Sequence, residues 1–274
     1  MKIMLGIMAL LLALPAQQAW NWWQPHEDVP WGRPRPQLWQ ASHALHLMDP
    51  PGFVLGYSEW LRNPLWVSWQ VPDGALQPLG PRPKRFSCAQ GTLARVCPDD
   101  YRHSGYDRGH MAPNYAMSRL HGPEAQRASF SMANISPQKH RFNSKLWQRL
   151  EELEMDQLPR KPGQHFYVLT GPLFGPGPAR LDSGVAIPEA FWRLWVRWTA
   201  PDGSDLQALA FVAEQEAPPN TDLRRLQLSL DALEERSGLD FLHLLEDAIE
   251  AKVEAQVRPE DWALASAWTR PSRY

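Results

Sequence analysis

The stretch Tyr106-Asp107-Arg108-Gly109-His110-Met111-Ala112-Pro113-Asn114 joins an acid, a base, a glycine and an imidazole, and a proline then stops the local backbone. A second polar block, Asn134-Ile135-Ser136-Pro137-Gln138, follows it and leads on to Asn143 and Glu151. Imidazole has the side-chain pKa nearest neutrality, so His110 is a natural acceptor for a proton taken from water. The amide oxygen of Asn143 suits a hard divalent cation that keeps most of its waters. We therefore interpret the rest of the chain as scaffold or substrate platform for this pair.

A single histidine is more often structural than catalytic, but three features beside His110 favour catalysis. Gly109 lets the backbone approach a neighbour closely or adopt a positive φ. The adjacent pair Asp107-Arg108 would be costly in a core without a purpose. Pro113 and Pro137 stiffen the loops beside the two polar blocks.

Length and charge set wide limits on the class of protein. The chain has 274 residues, enough for one large domain or two small ones, and its formal net charge is -2. Proteins that coat long nucleic acids usually carry a basic excess, so the charge balance argues against such a coat. An enzyme that grips a phosphodiester only at its active site remains allowed.

The first nineteen residues have the pattern of a secretory signal. Lys2 supplies the positive start, Ile3 to Leu14 the apolar run, and residues 15–19 a small-residue exit. The apolar run is short for a membrane span. We expect an exported protein, periplasmic or secreted. An uncleaved anchor stays open because Leu14 or Gln17 would occupy the minus-three position of the cleavage site.

Cys88 and Cys97 are the only cysteines, and an even pair in an exported chain predicts one disulfide. Two free buried thiols are the alternative, and a zinc site would need two remote histidines as well. The surrounding loop carries the basic cluster Arg82, Lys84 and Arg85. Such a cluster is either a solvated loop or a phosphate contact, since an arginine can engage two phosphate oxygens at once.

Hydrophobic patterning predicts an α+β protein, because strands come first, a helix follows, and strands return. We predict a signal over 1–19, an N-terminal arm or linker over 20–49, one domain over 50–255 and a C-terminal tail over 256–274. The predicted strands are Phe53 to Tyr57, Leu65 to Val71, Ala128 to Asn134, Phe166 to Thr170, Phe191 to Thr199 and Leu206 to Ala213. The predicted helices are Asn143 to Leu158, Ser229 to Arg236 and Asp240 to Ala255.

Both polar blocks resemble the signature of a known family. Asp107-Arg108-Gly109-His110 with Met111-Ala112-Pro113, and the second block with Asn143, Trp147, Leu150 and Glu151, are similar to the DNA/RNA non-specific endonucleases. This is the ββα-metal (His-Me finger) family of the Serratia-type nuclease and mitochondrial endonuclease G. The resemblance covers roughly residues 50 to 245 and continues through Asn63 to Ser68, Val168 to Pro172 and Gly238 to Phe241. It implies a central, mostly antiparallel sheet flanked by helices.

The resemblance also implies a role for each site residue. His110 would be the general base, and Asn143 the one direct protein ligand to Mg²⁺, for which Mn²⁺ could substitute. Glu151 would bind the waters that coordinate the metal, without contacting the metal itself. Asn134 would shape the site and orient substrate or a metal-bound water.

An arginine upstream of the signature neutralises charge in relatives, and here we favour Arg85 for that role, with Arg82 as the alternative. Spacing in this loop departs from relatives, and the two cysteines lie in the same connection. Asp107 has a structural alternative, the satisfaction of loop amides. Arg108 has one too, pairing with a carboxylate.

Together these features predict an exported endonuclease that hydrolyses phosphodiester bonds of DNA and RNA without sugar or sequence specificity. The mechanism would be Mg²⁺-dependent with a histidine base. Expected partners are DNA and RNA substrates and, by resemblance, a second copy in a homodimer, with no stable membrane partner. The alternative is a catalytically inactive secreted nucleic-acid-binding or scaffold protein of the same fold. A serine or cysteine hydrolase using His110 is disfavoured, because the sequence has no Gly-x-Ser-x-Gly elbow and both cysteines are expected to be oxidised.

Overall fold

A computed structural model describes residues 27, 29–38, 40–158, 161–264 and 268–272. The predicted signal over 1–19 lies outside the described residues. Among those that are described, no helix combines the length and the apolar character needed to cross a membrane.

A seven-stranded antiparallel sheet forms the centre of the molecule, with strand order β10-β9-β8-β7-β4-β3-β2. The strands are β1 Arg35–Pro36, β2 Leu45–Met48, β3 Val54–Ser58, β4 Asn63–Gln70, β5 Asp107–His110, β6 Ile135–Gln138, β7 His165–Leu173, β8 Ala190–Trp198, β9 Gln207–Glu214, β10 Gln227–Leu228 and β11 Leu239–Asp240. The predicted α+β class with a mostly antiparallel central sheet is confirmed. Five predicted strands coincide with β3, β4, β7, β8 and β9 to within a few residues.

Both faces of this sheet are buried, which explains why its central strands are almost continuously apolar. Along β8, Phe191 and Trp195 enter the core on one face, while Trp192 and Leu194 enter the core on the other. Successive side chains of a strand point to opposite faces, so a strand covered on both sides loses the usual polar alternation.

One face carries the two polar blocks on a small ββα unit. Strands β5 and β6 pair antiparallel, with His110 opposite Ile135. A π-helical stretch, Phe142–Trp147, then leads into the α-helix Gln148–Asp156. The hydroxyl of Ser136 donates to Oδ1 of Asn63 over 2.7 Å and so ties the unit to the central sheet.

The remaining helices are short. In the described ranges they comprise α-helical Asn114–Ala116 and Gly122–Ala128, separated by a π-helical stretch Met117–His121, and the C-terminal α-helices Leu230–Ser237 and Asp247–Glu254. 3-10 turns lie at Ala41–His43, Pro98–Tyr101, Met132–Asn134, Leu223–Leu226 and Pro259–Trp262. The helix predicted over Asn143 to Leu158 is confirmed, although its first part is π-helical.

Two predictions of secondary structure were wrong. Residues 128–134 do not form a strand, because the Ser131 hydroxyl accepts from the Ala133 amide and caps a 3-10 turn. The strand begins only at Ile135. The helix predicted from Asp240 is α-helical only over Asp247–Glu254, since β11 pairs with β1 and Leu242 has a positive φ of 53°.

The structure also differs from the predicted domain boundaries. Strand β2 belongs to the central sheet, so the described part of the segment 20–49 is not a separate arm. Trp262, Leu264 and Trp268, from the predicted tail, are buried in the core. The reason is the burial of large apolar side chains, which removes area from water regardless of local periodicity.

The disulfide between Cys88 and Cys97 is confirmed, with an S–S distance of 2.03 Å. It closes a loop that begins immediately after Phe86 and Ser87. The backbone amide of Ser87 donates to the carbonyl of Phe130 over 3.0 Å. The covalent loop is therefore joined to the chain that supports the ββα unit.

Candidate active site

One cavity of about 570 Å³ brings the main predicted site residues together. His110 from β5, Asn143 from the π-helical stretch and Glu151 from the following helix all line it. Arg82 and Arg108 line the same cavity. Neither Asn134 nor Arg85 is among its lining residues.

The imidazole of His110 packs against two phenylalanine rings that also contact each other, with their centroids 4.8 Å apart. Its centroid lies 5.3 Å from that of Phe86 and 4.8 Å from that of Phe130. The Nε2 atom is buried and has no hydrogen-bond partner among the residues that the structure describes. Burial, with a smaller contribution from the charge of Arg82, lowers the pKa of His110 to about 3. The ring is consequently neutral near pH 7 and can accept a proton.

Each phenylalanine is in turn covered by an arginine. The guanidinium carbon of Arg82 lies 5.2 Å from the ring centroid of Phe130, and that of Arg108 lies 5.4 Å from the centroid of Phe86. Contacts of this kind hold a cation over an aromatic face. Two positively charged side chains therefore contact the aromatic cluster around the imidazole, and both line the cavity.

Arg85, favoured from the sequence for the phosphate contact, is exposed and lies outside the cavity lining. Its neighbour Phe86 packs against the His110 ring. The chain bends at Lys84 and Arg85, so the inward-facing Phe86 does not bring Arg85 into the cavity. Arg82, the alternative, occupies the cavity wall instead.

The amide of Asn143 is held in one orientation by Asp107. Nδ2 of Asn143 donates to Oδ2 of Asp107 over 2.9 Å, and Nδ1 of the exposed His140 lies 2.9 Å from the same oxygen. Among the described residues, Oδ1 of Asn143 accepts no hydrogen bond. Asp107 thus contacts the site rather than satisfying loop amides, and it leaves the amide oxygen available to a cation.

Glu151 follows Asn143 by two helical turns. Burial is the main cause that raises the pKa of Glu151 to about 7; nearby Arg193 opposes the rise, and Glu154 and Glu152 add to it. Nη1 of Arg193 lies 3.9 Å from Oε1 of Glu151. A divalent cation nearby would favour the ionised carboxylate.

The side chain of Asn134 supports the backbone next to His110. Its side chain is buried, accepts from the amide of Ala112 over 2.9 Å, and donates to the carbonyls of Ala112 and Ser129, each over 3.0 Å. These bonds use its amide fully and fix the chain immediately after His110. In the structure Asn134 thus supports the backbone beside His110 and is not among the cavity-lining residues.

Gly109 is required for close approach. A Cβ atom at this position would lie 2.1 Å from Oε1 of Gln138, whose side chain is fully buried. The φ angle of Gly109 is not positive, so close packing rather than conformational freedom explains the glycine.

The donor set fits a hydrated hard cation. The cavity offers the free amide oxygen of Asn143 with carboxylates of Glu151, Glu152 and Asp156 along the adjacent helix. Oxygen donors of this kind suit Mg²⁺, which retains several waters. Within the part of the chain that the structure describes, no three His, Cys, Asp or Glu side chains form a metal-binding group.

Sequence reasoning missed Phe86, Phe130 and Arg193. Phe86 follows the basic cluster directly, but nothing in the pattern indicated that it faces His110. Phe130 lies in the segment predicted as a strand. Arg193 interrupts an apolar strand, which is the one signal that could have identified it.

The chain is similar to proteins of one known family. The family model described as DNA/RNA non-specific endonuclease matches residues 40–248. A nuclease from Nostoc sp. is 30% identical over 77% of this chain and 78% of its own length. The nuclease of Serratia marcescens is 26% identical over 71% of this chain and 75% of its own length.

Human mitochondrial endonuclease G is 29% identical over 69% of this chain and 67% of its own length. The crystal structure of the EndoG/EndoGI complex contains a chain with the same fold, at a TM-score of 0.65 and 24% identity, over 80% of this chain and 91% of that one. With the family match spanning most of its length, the chain belongs to the DNA/RNA non-specific endonucleases.

Proposed function

We propose that this protein is an exported, Mg²⁺-dependent endonuclease that hydrolyses DNA and RNA without sugar or sequence specificity. The observation that carries the proposal is the single cavity lined by a neutral imidazole and an oriented amide oxygen. Family membership supports the same reaction class.

His110 would take a proton from the water that attacks phosphorus. A base must be unprotonated at the working pH, and the lowered pKa of His110 meets that condition. Its packing against the contacting rings of Phe86 and Phe130 restricts the orientation of the imidazole. A fixed ring direction contributes alignment of the attacking water.

Asn143 would hold the cation through Oδ1, and Glu151 would hold waters of its hydration shell. When bound, Mg²⁺ would supply electrostatic stabilisation of the charge that develops on the phosphate oxygens. Mn²⁺ has similar oxygen-donor preferences and could substitute.

Arg82 and Arg108 would bind the phosphodiester. Both guanidinium groups line the cavity and are positioned over aromatic rings. Phosphate contacts orient a nucleic acid but carry no base information, which accounts for a lack of sequence specificity. We assign the phosphate contact predicted for Arg85 to Arg82.

Export is supported by the disulfide, because disulfides persist in oxidising compartments. A homodimer, implied by the resemblance, can be tested by measuring the mass of the protein in solution.

The experiment that tests the proposal compares wild type with His110→Ala on double-stranded DNA, single-stranded DNA and RNA, with Mg²⁺ and with a chelator. Loss of a general base costs about 10²- to 10⁴-fold. We expect a fall of that size on all three substrates, with unchanged circular dichroism, and no cleavage by wild type under chelation. Wild-type protein that binds nucleic acid with Mg²⁺ but never cleaves it would instead support the inactive scaffold.

A further inference from the structure

Arg193 is a charged residue in the middle of a fully buried strand. It lies on β8 between Phe191 and Trp195, on the face that packs against the helix carrying Glu151, and its exposed fraction is 0%. Burying a cation is costly unless it is paired and hydrogen-bonded. The position therefore calls for a partner or a purpose.

Most of the guanidinium is bound to Glu154. Nε and Nη2 of Arg193 donate to the two carboxylate oxygens, the second over 2.7 Å. The indole Nε1 of Trp195 donates to Oε1 of the same carboxylate over 2.6 Å. This paired geometry fixes the plane of the guanidinium.

The guanidinium of Arg193 lies over two indole rings. Its carbon lies 5.3 Å from the ring centroid of Trp69 and 5.3 Å from that of Trp147. The remaining nitrogen, Nη1, is buried, makes no hydrogen bond to any described residue, and lies 3.9 Å from Oε1 of Glu151. Nη1 is thus near the site carboxylate, while Nε and Nη2 are bound to Glu154.

Resting on the proposed function, we propose that Arg193 is a positioning residue that holds the Glu151 carboxylate in the cavity for a hydrated cation. Contacts with Glu154, Trp69 and Trp147 keep the guanidinium plane fixed. Nη1 of Arg193 then attracts Oε1 of Glu151 from the buried side of the cavity. Partners behind a metal site commonly set its affinity for the ion. Arg193 would act only through Glu151 and would touch neither substrate nor cation.

The test measures binding of Mn²⁺ alone, by the paramagnetic resonance signal of the free ion, in wild type, Glu151→Gln, Arg193→Lys and the double variant. Lysine keeps the charge beside Glu154 but lacks the planar fork that reaches two carboxylates. We expect Arg193→Lys and Glu151→Gln each to weaken Mn²⁺ binding about tenfold. The double variant should bind no more weakly than Glu151→Gln, because both changes remove the same interaction.

Two further arms keep the test decisive if Arg193→Lys does not fold. Arg193→Met/Glu154→Gln removes both buried charges while leaving an acceptor for Trp195, and it should show the same tenfold loss. With Arg193 intact, Mg²⁺ should shift the guanidinium ¹⁵N resonance of Arg193 in wild type but not in Glu151→Gln.

Mn²⁺ binding does not depend on cleavage, so the two proposals fail in different ways. A folded Arg193→Lys that binds Mn²⁺ as wild type does, or losses that multiply in the double variant, would overturn the positioning role and leave the nuclease function standing. Wild-type protein that neither binds Mn²⁺ nor cleaves nucleic acid would overturn the function, and the positioning role with it.

Discussion

The carboxylate of Asp107 accepts a hydrogen bond from the side-chain amide of Asn143 over 2.9 Å. The first residue of the signature on β5 thereby sets the orientation of the predicted metal ligand on a different element. Without this bond the amide could turn by half a rotation and present its nitrogen, which cannot bind a cation.

Asp107→Ala should therefore lower the cleavage rate by about 10- to 100-fold and raise the Mg²⁺ concentration required for half-maximal activity. Asp107 is partly exposed, so thermal unfolding should change little. The matched control is His140→Ala, which removes the other partner of the same carboxylate from a side chain that is 77% exposed. We expect a near wild-type rate for the control, and equal losses in both variants would contradict the assignment.

The two candidate arginines give a direct comparison. Arg82 lines the cavity, whereas Arg85 is exposed outside it. A hydrogen bond to a charged group contributes about 1.5–3 kcal/mol, so Arg82→Ala should reduce kcat/KM about 10- to 100-fold. Arg85→Ala should stay close to wild type. Steady-state cleavage of one oligonucleotide measures both, and the reverse order of losses would restore the assignment of Arg85.

His110 should make stability depend on pH. Its pKa is lowered in the folded protein from 6.5 to about 3, so between these values the unfolded chain binds a proton that the folded protein does not. Stability should consequently fall as pH decreases below about 6.5.

Urea unfolding at pH 7.5 and at pH 5 measures this effect against His110→Gln, which cannot titrate. Each pH unit between the two pKa values changes the free energy of unfolding by about 1.4 kcal/mol. From pH 7.5 to pH 5, the free energy of unfolding of wild type should therefore fall by up to about 2 kcal/mol more than that of the variant. Identical losses in the two proteins would show that the ring titrates normally when folded.

The disulfide should contribute to stability more than to chemistry. Cys88 and Cys97 are nine residues apart, and closing a loop of that length stabilises by about 2–3 kcal/mol in the chain-entropy treatment. Cys88→Ser/Cys97→Ser should lose that amount in urea unfolding and retain cleavage activity while folded. Wild type treated with a reductant should match the variant, and a reduced protein with unchanged stability would argue against this contribution.

Much of the site was predictable because its chemistry depends on residue type and local spacing. Asn143 and Glu151 belong to one continuous helical run, so their separation follows from helix geometry. Asp107 and His110 share one short strand. Local order alone brought each pair together.

The wrong strand at 128–134 and the misplaced domain edges have a different origin. The hydroxyl of Ser131 caps a 3-10 turn, so this apolar segment does not form a strand. Hydrophobic periodicity does not reveal a hydrogen bond of this kind. Segments at both ends of the chain are irregular in sequence, yet Leu45 and Trp262 are buried against the sheet. Burial of those residues depends on distant strands.

Residue types and local spacing were enough to predict the family, the α+β class, the disulfide and the choice of His110, Asn143 and Glu151 as site residues, because motif and helical period are local properties. Three-dimensional packing was needed to show that Arg82 rather than Arg85 lines the cavity and that Phe86 and Phe130 pack against the imidazole. The same packing brings Nη1 of Arg193 to 3.9 Å from Oε1 of Glu151. Those contacts join residues from loops and strands far apart in the chain, and side-chain direction there is set by packing.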